Sequence, residues 1–213
     1  RVTNLEWKPE DLYPPQSRPL PAETTEGGDK YHGPVAAEYD AKREQSPKWI
    51  AEQRIIEAML SDLPPGSRIL DCPIGTGRFL DFYHRKGFQV VGADKSSDML
   101  KMAEAKMPKG MMVQLGTGDI TRLDKIPSAL FDAAVAVRIT RWLGDDGTVA
   151  ALRELQRVTR GRIIFTARVR NHPHARSYET IQSALKGWSV WEDRAGYHED
   201  YRIIQLRPGA PPV

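Results

Sequence analysis

Three aspartates follow three successive apolar runs of the sequence. Asp71 ends the run in ILDCPIGTGRF (69–79), Asp94 ends FQVVGAD, and Asp119 follows MMVQL. If these runs are parallel strands, the aspartates lie at neighbouring strand tips, where open α/β sheets bind their ligands. Carboxylates repel phosphate but accept hydrogen bonds from amino and hydroxyl groups. The spacing therefore predicts that Asp94 holds ribose hydroxyls and that Asp71 faces a ligand with an ammonium group.

The first aspartate belongs to a glycine loop between a predicted strand and a predicted helix. Gly75 and Gly77 allow the backbone to approach a ligand at the helix N-terminus. The loop lacks the G-x-G-x-x-G spacing of a dinucleotide site, and Pro73 precedes Ile74-Gly75. No Gly-Lys-Ser/Thr follows, which excludes a P-loop.

The elements that must position this loop alternate along the chain. Apolar runs near Ile69, Phe88, Met111, Phe131 and Arg162 are typical of strands, and helical stretches or loops separate them. This alternation predicts an α/β fold with a Rossmann-like, mostly parallel sheet covered by helices on both faces. WSVWED and YRIIQLRP predict an antiparallel C-terminal hairpin. TVAALRELQRVTR is one of the clearest predicted helices.

Composition and length set the domain boundaries. Residues 1–33 are rich in proline and polar residues, which predicts an extended or partly disordered N-terminal arm, and residues 34–213 form one domain. The single cysteine and the lack of a long apolar run favour a cytoplasmic protein that does not bind membranes. The net charge of +3 is too small to indicate a class of binding partner. Since the sequence starts at Arg1 without methionine, we expect the true N-terminus to lie upstream.

Four segments in order resemble the class I S-adenosylmethionine (SAM)-dependent methyltransferases, in particular the type 11 and ubiquinone-biosynthesis group. They are ILDCPIGTGRF, VVGADKSSDML, GDITRL and FDAAVAVRITRWL, and the resemblance spans residues 33–206. It implies a seven-stranded sheet, SAM as cofactor, and S-adenosylhomocysteine (SAH) as product. The sequence departs from the family at Pro73, which replaces the first glycine of the loop motif and removes a backbone donor.

The resemblance also implies the roles of individual residues. The cofactor is expected to lie over the two loop glycines, with the three aspartates at its methionine, ribose and adenine portions. Tyr39 resembles the tyrosine of a YD pair that helps to close the site in this group. The full set of predicted cofactor-binding residues is Asp71, Cys72, Pro73, Gly75, Gly77, Asp94, Lys95, Met99, Asp119, Ile120 and Arg138.

Structural interpretations compete with several of these roles. Asp71 and Asp94 would also suit plain solvation of strand ends, and Met99 would suit a helix core. Ser96 or Ser97 is expected to cap the following helix. Cys72 has no neighbouring histidine or second cysteine, and the histidines show no ligand spacing, so we predict no metal.

The acceptor side is expected in the loops after the fourth and fifth strands. Candidates for contact with the methyl acceptor are Tyr39, Arg138, Arg141, Trp142 and Arg170, and Arg168, Arg176, His172 and His174 extend a basic rim. Arginine forks suit carboxylates and phosphates, so the rim predicts a small polar or anionic acceptor. The alternative is that these arginines pair with the chain's own acidic residues.

Two other functions remain open from the sequence. The same core could methylate RNA, DNA or protein, with the rim and the arm as the contact surface. No Asn-Pro-Pro-Tyr or Pro-Cys signature follows the fourth strand, which disfavours familiar N6-adenine, glutamine and pyrimidine C5 methylation. A third alternative is a non-catalytic protein that binds SAM and acts by interaction. The oligomeric state is not predicted.

Overall fold

The computed structural model describes residues 33–34, 38–40, 46–169, 175–197 and 199–210. The predicted arm lies outside these residues except for Gly33, as do Arg170, His172 and His174. Within the described ranges, the helices and strands are α1 Pro47–Leu60, β1 Arg68–Asp71, α2 Leu80–Lys86, β2 Gln89–Asp94, α3 Ser97–Ala105, β3 Val113–Thr117, β4 Phe131–Ala136, α4 Thr140–Val158, β5 Thr159–Arg168, α5 Tyr178–Ala184, β6 Trp188–Ala195 and β7 Tyr201–Pro208.

The strands form one seven-stranded sheet in the order β3-β2-β1-β4-β5-β7-β6. β3, β2, β1, β4 and β5 are parallel to one another, and β7 is antiparallel to both β5 and β6. The predicted Rossmann-like sheet with an antiparallel C-terminal hairpin is therefore confirmed. The strand order runs from β1 through β2 to β3 on one side and from β4 through β5 on the other, so the direction of winding reverses between β1 and β4. Open α/β sheets bind ligands at such a switch point.

Successive side chains of the central strands enter two separate cores because strand residues alternate between the faces of a sheet. Ile163 and Phe165 of β5 pack with α4 and α5, whereas Ile164 between them packs with α1 and α2. Ile204 and Ile203 of β7 divide in the same way. Both faces are covered, which explains why these strands read as continuous apolar runs. None of the described helices is long and apolar enough to cross a membrane.

The fourth helix differs from its prediction. It begins at Thr140, eight residues before the predicted start, and contains a kink at Gly144 with φ 64°. The sequence GDDG has low helix propensity, which hid the continuation of the helix from a periodicity argument. At the other end, Thr159 and Arg160 belong to β5 and not to the helix. As a result, Arg141 and Trp142 lie in the first turn of a helix and not in a loop.

Candidate functional site

A cavity of about 1200 Å³, open mouth included, lies at the carboxyl ends of β1, β2 and β4. Most of the predicted site residues line it: Tyr39, Asp71, Cys72, Pro73, Gly75, Asp94, Lys95, Met99, Ile120, Arg138, Arg141 and Trp142. Gly77 and Asp119 were predicted to contact the cofactor, but neither lines the cavity. Arg170 lies outside the described residues. Trp49, Arg78 and Phe79 also line the wall, and the sequence did not single them out.

Asp94 connects the first two loops of the cavity. Its Oδ2 accepts a hydrogen bond from the Gly75 N–H at 2.9 Å, and its Oδ1 accepts one from the Ser96 N–H at 2.9 Å. A carboxylate has about four acceptor positions, so one such group can take part in several hydrogen bonds at once. The arrangement suits a carboxylate that both fixes the loops and accepts hydroxyl groups of a ligand.

The two loop glycines have different surroundings. Both have positive φ, 58° at Gly75 and 78° at Gly77. A Cβ at Gly75 would meet no atom within 4 Å, so this residue leaves open space on the cavity side. A Cβ at Gly77 would lie 2.4 Å from Leu80 Cδ1 and 3.2 Å from the Ala103 Cα. Gly77 therefore serves the packing of α2 against α3, which explains why it does not line the cavity.

Asp71 is a buried carboxyl group at the tip of β1, with 2% of its surface exposed. Its Oδ2 accepts a hydrogen bond from the Tyr83 hydroxyl at 3.0 Å. Burial raises the pKa of Asp71 to about 8, with a further increase from the charge of Asp94, although the Tyr83 bond opposes it. The group thus holds a proton at neutral pH, and a cationic ligand beside it would favour the ionised form.

The neighbouring Cys72 and Pro73 complete this wall. The Cys72–Pro73 peptide bond is cis. Burial, together with the charges of Asp94 and Asp71, raises the pKa of the Cys72 thiol well above its usual value. A thiol in this state is not activated as a nucleophile. In the described part of the chain, no three His, Cys, Asp or Glu side chains assemble into a metal site.

The side of the cavity formed by β2 and β3 contains Lys95, Met99 and Ile120. Lys95 Nζ lies 3.0 Å from Asp119 Oδ2, and Asp119 Oδ1 accepts hydrogen bonds from the Thr121 N–H and hydroxyl at 2.9 and 2.7 Å. Burial favours the neutral form of Asp119, but these bonds and Lys95 outweigh it and lower its pKa. Asp119 does not line the cavity itself, but its ion pair holds the side chain of Lys95, which does.

Met99 is a core residue that also borders the cavity. Its side chain is buried in the helix and also lines the cavity. Ser96 Oγ accepts a hydrogen bond from the Met99 N–H at 3.2 Å, which confirms the predicted N-cap of α3. The cap fixes the start of α3 beside the tip of β2, and this places Met99 against the cavity.

Next to the cavity, a fully buried glutamate of α1 contacts residues from three other segments of the chain. Glu52 of α1 has 0% of its surface exposed and accepts hydrogen bonds from the Arg138 guanidinium and, at 3.0 Å, from the Tyr201 hydroxyl. Arg78 Nη1 lies 3.5 Å from Glu52 Oε2. Glu52 stands among the apolar positions of α1, between Trp49 and Ile56. That position is the sequence signal that could have revealed it.

The Trp49 ring contacts both of the arginines that meet Glu52. The Arg78 guanidinium carbon lies 3.6 Å from the centre of the Trp49 ring and the Arg138 carbon lies 4.7 Å from it. The Tyr39 ring meets Trp49 edge-on at a centroid distance of 5.9 Å. Cations over an aromatic face are attracted by its quadrupole, so the stack holds both guanidiniums in the wall.

Arg138 has an unusual backbone for a residue that is not glycine. Its φ is 62°, in the left-handed region, and its N–H donates to Thr166 Oγ1 at 2.7 Å. Such conformations cost roughly 1–3 kcal/mol and persist where surrounding contacts enforce them. Burial lowers the pKa of Arg138, but the hydrogen bonds and charge of Glu52 outweigh this and raise it above the usual value. Arg138 is therefore a fixed, permanent cation at the tip of β4.

The predicted basic rim divides into paired and accessible arginines. Arg168 lies 3.5 Å from Asp200, and Arg176 is buried, with its Nε donating to the Thr140 carbonyl at 3.2 Å and Nη1 to Asp145 at 3.2 Å. These two follow the pairing alternative. Arg141 is exposed, stacks on Trp142 at 4.4 Å and has no carboxylate partner among the described residues.

A family model described as a methyltransferase domain matches residues 69–161. The fold is similar to that of magnesium protoporphyrin IX methyltransferase from Synechocystis, solved with bound SAM (TM-score 0.73, 14% identity, covering 91% of this chain and 100% of that one). It is also similar to a TehB-like SAM-dependent methyltransferase from Corynebacterium glutamicum (TM-score 0.62, 21% identity, 83% and 100% covered). No curated protein shows a significant match in sequence.

Proposed function

The chain contains a class I SAM-dependent methyltransferase domain, and from this premise we propose that it transfers the methyl group of SAM to a small polar or anionic acceptor. The observation that supports this acceptor class is the presence of charged groups of both signs in the wall of one cavity. Asp71 and Asp94 line it, and so do Arg78, Arg138 and Arg141. A cationic cofactor together with an anionic or polar acceptor complements both sets of groups.

The cofactor half of the cavity fits SAM in this chain. Gly75 leaves open space where a Cβ would stand, and the Asp94 side chain lines the cavity beside it. We infer that Asp94 holds the ribose hydroxyls and that Lys95, Met99 and Ile120 flank the adenine. Asp71 would face the amino group of the methionine portion, because a buried carboxyl group gains most from an ammonium partner.

The acceptor half contains more cations than carboxylates. Arg78 and Arg138 share the single carboxylate of Glu52, and Arg141 has no carboxylate partner among the described residues. Trp49 and Trp142 supply flat apolar surface beside these cations. An acceptor that combines an apolar body with an anionic or polar group would satisfy this half.

When bound, the cofactor supplies a methyl group that is already activated by its sulfonium. The protein then has to align the acceptor and exclude water, and alignment alone can contribute roughly 7–11 kcal/mol. Tyr39 and Trp49 cover the cavity from the N-terminal side, and Arg138 and Arg141 would orient the acceptor. The only carboxyl group near neutral pKa, among the described groups with a resolved shift, is Asp71, which we assign to the cofactor.

The test is methyl transfer from radiolabelled SAM to a panel of small acceptors, in which each carboxylate or phosphate is paired with its neutral analogue. We expect transfer to anionic members and a loss of at least tenfold in kcat/KM for Arg141→Gln. Lys125→Gln, an exposed change of the same charge on another loop, is the control.

The alternatives give different results in the same system. Transfer to RNA or DNA, with affinity that falls steeply as salt is raised, would replace the small-molecule proposal. SAH binding without transfer to any class of acceptor would favour the non-catalytic alternative.

A further inference from the structure

We propose that Arg78 and Arg138 together form a carboxylate-binding subsite in the wall of the cavity, with Glu52 as the residue that positions them. The inference rests on the proposed function for the identity of the cavity. It goes beyond it by naming the chemical group that is bound and the residues that bind it.

Among the described residues, Glu52 is the one carboxylate in ion-pair contact with both guanidiniums. Two guanidiniums face one carboxylate, and Glu52 is fully buried while the Arg78 side chain is only 7% exposed. Burying an ion without a full counter-charge is costly, so a cluster with one excess positive charge gains from an anionic ligand. Arg138 is 28% exposed at its side chain, which leaves it accessible from the cavity.

Arg78 is held firmly beside Glu52 in the wall of the cavity. Its Nε donates to Gln53 Oε1 at 3.3 Å and its Nη2 to the Trp49 carbonyl. Its Nη1 is buried and lies 3.5 Å from Glu52 Oε2. Arg78 and Arg138 both line the cavity, so the two guanidiniums border the space that a ligand would occupy.

The shape of the cluster suits a carboxylate in particular. Trp49 contacts both guanidiniums and holds them by cation–π contacts at 3.6 and 4.7 Å. Guanidinium forks match the two oxygens of a carboxylate, and stacked forks lose little freedom on binding. The inferred ligand group is therefore a planar carboxylate on a molecule inside the cavity.

Two molecules in the reaction can present that group, namely the acceptor and the amino-acid portion of the cofactor. The experiment measures, by calorimetry, the binding of benzoate to SAH-saturated protein and the binding of SAH and of 5′-methylthioadenosine, which lacks the carboxylate. Benzamide is the neutral control for benzoate. Arg78→Gln is compared with Arg85→Gln, an exposed change of the same charge on α2.

If the acceptor supplies the carboxylate, SAH-saturated protein binds benzoate but not benzamide, and Arg78→Gln weakens this binding at least tenfold. If the cofactor supplies it, SAH prevents benzoate binding, and Arg78→Gln weakens SAH at least tenfold but 5′-methylthioadenosine less than twofold. Both results support the subsite and identify its ligand. The proposal is overturned if Arg78→Gln and Arg85→Gln give the same affinities for benzoate and SAH.

Failure of folding is separated from loss of the subsite by Arg78→Lys. Lysine keeps the charge but loses the fork and its hydrogen bonds, so we expect intermediate affinity in a protein that still unfolds in one cooperative transition, at a lower temperature. Unaltered affinity in this variant would reduce the subsite to a diffuse charge effect and overturn the proposal. None of these measurements requires turnover, so an absence of methyl transfer would contradict the proposed function without deciding the subsite.

Discussion

Asp94 Oδ2 accepts a hydrogen bond from the Gly75 N–H at 2.9 Å, and this bond joins the loop after β1 to the tip of β2. The second oxygen of the carboxylate accepts from the Ser96 N–H at the start of α3. One side chain therefore fixes the spacing of two loops that line the cavity. Its loss would alter the geometry of both loops and remove the ligand contact that we propose for Asp94.

Asp94→Ala should weaken SAH binding by roughly 100-fold. The change removes charge-assisted hydrogen bonds worth about 1.5–3 kcal/mol each, and 1.4 kcal/mol corresponds to a factor of ten. Isothermal calorimetry with SAH measures the effect. The control is Asp98→Ala, because Asp98 pairs with Lys101 on α3 and does not line the cavity. Equal affinities for both variants would remove Asp94 from the cofactor site.

The part of the cavity wall formed by the loops after β1 and β2 could be predicted because its signals are local. Asp71, Gly75 and Asp94 each lie at a strand end that follows an apolar run, and parallel strands bring such ends to one edge. The sheet and its hairpin follow from the same alternation. The assignments that missed the cavity, Gly77 and Asp119, depend on the direction of side chains and on packing with Ala103 and Lys95.

The acceptor half could not be read from local patterns because its contacts join distant segments. Glu52 meets Arg138, which is 86 residues away, and Tyr201, which is 149 residues away. The sequence shows how many arginines follow β4 and β5, but it does not show which of them form ion pairs with carboxylates. The structure shows that Arg168 and Arg176 are paired and that Arg78, which the sequence did not single out, lies in the wall.

Gly75→Ala should weaken SAH binding at least tenfold while costing the fold only about 1–2 kcal/mol. The stability cost comes from a Cβ at positive φ, whereas the new methyl group would occupy open space of the cavity. Gly66→Ala is a matched control, since Gly66 has φ 83°, also has no atom within 4 Å of an added Cβ and does not line the cavity. Similar SAH affinities for the two variants would place the cofactor elsewhere.

SAH binding should strengthen as pH rises from 6 to 7.5, by up to about tenfold per unit. The pKa of Asp71 is about 8, so the group is protonated in this range and must release its proton to face an ammonium. Asp71→Asn cannot titrate, and we expect its SAH affinity to be weaker and independent of pH. Calorimetry in buffers of different ionisation enthalpy counts the released protons. A wild-type affinity that does not change with pH would contradict this role of Asp71.

The same carboxyl group should make the free protein less stable as pH rises. Its folded pKa, about 8, exceeds the unfolded value of 3.8. The stability that it contributes is therefore complete below pH 3.8 and is lost as pH rises towards 8. Asp71→Asn should unfold at a higher temperature than wild type at pH 7. The gain in free energy of unfolding is at most about 4 kcal/mol at pH 7, and it should be smaller at pH 5. Thermal unfolding without SAH at both pH values measures this difference. A stabilisation of Asp71→Asn that is larger at pH 5 than at pH 7 would contradict the raised pKa of Asp71.

Glu52→Ala should lower the free energy of unfolding by about 3–5 kcal/mol, because it leaves two largely buried guanidiniums without their shared carboxylate. Urea denaturation measures the change. Glu57→Ala lies on the same helix and removes only a hydrogen bond from Gln53, so it should cost less than about 1.5 kcal/mol. Tyr201→Phe removes one further bond to Glu52 and should cost about 1 kcal/mol. If Glu52→Ala were as stable as Glu57→Ala, the two arginines would find solvent or other partners without it, and the fixed geometry inferred for the carboxylate subsite would be lost.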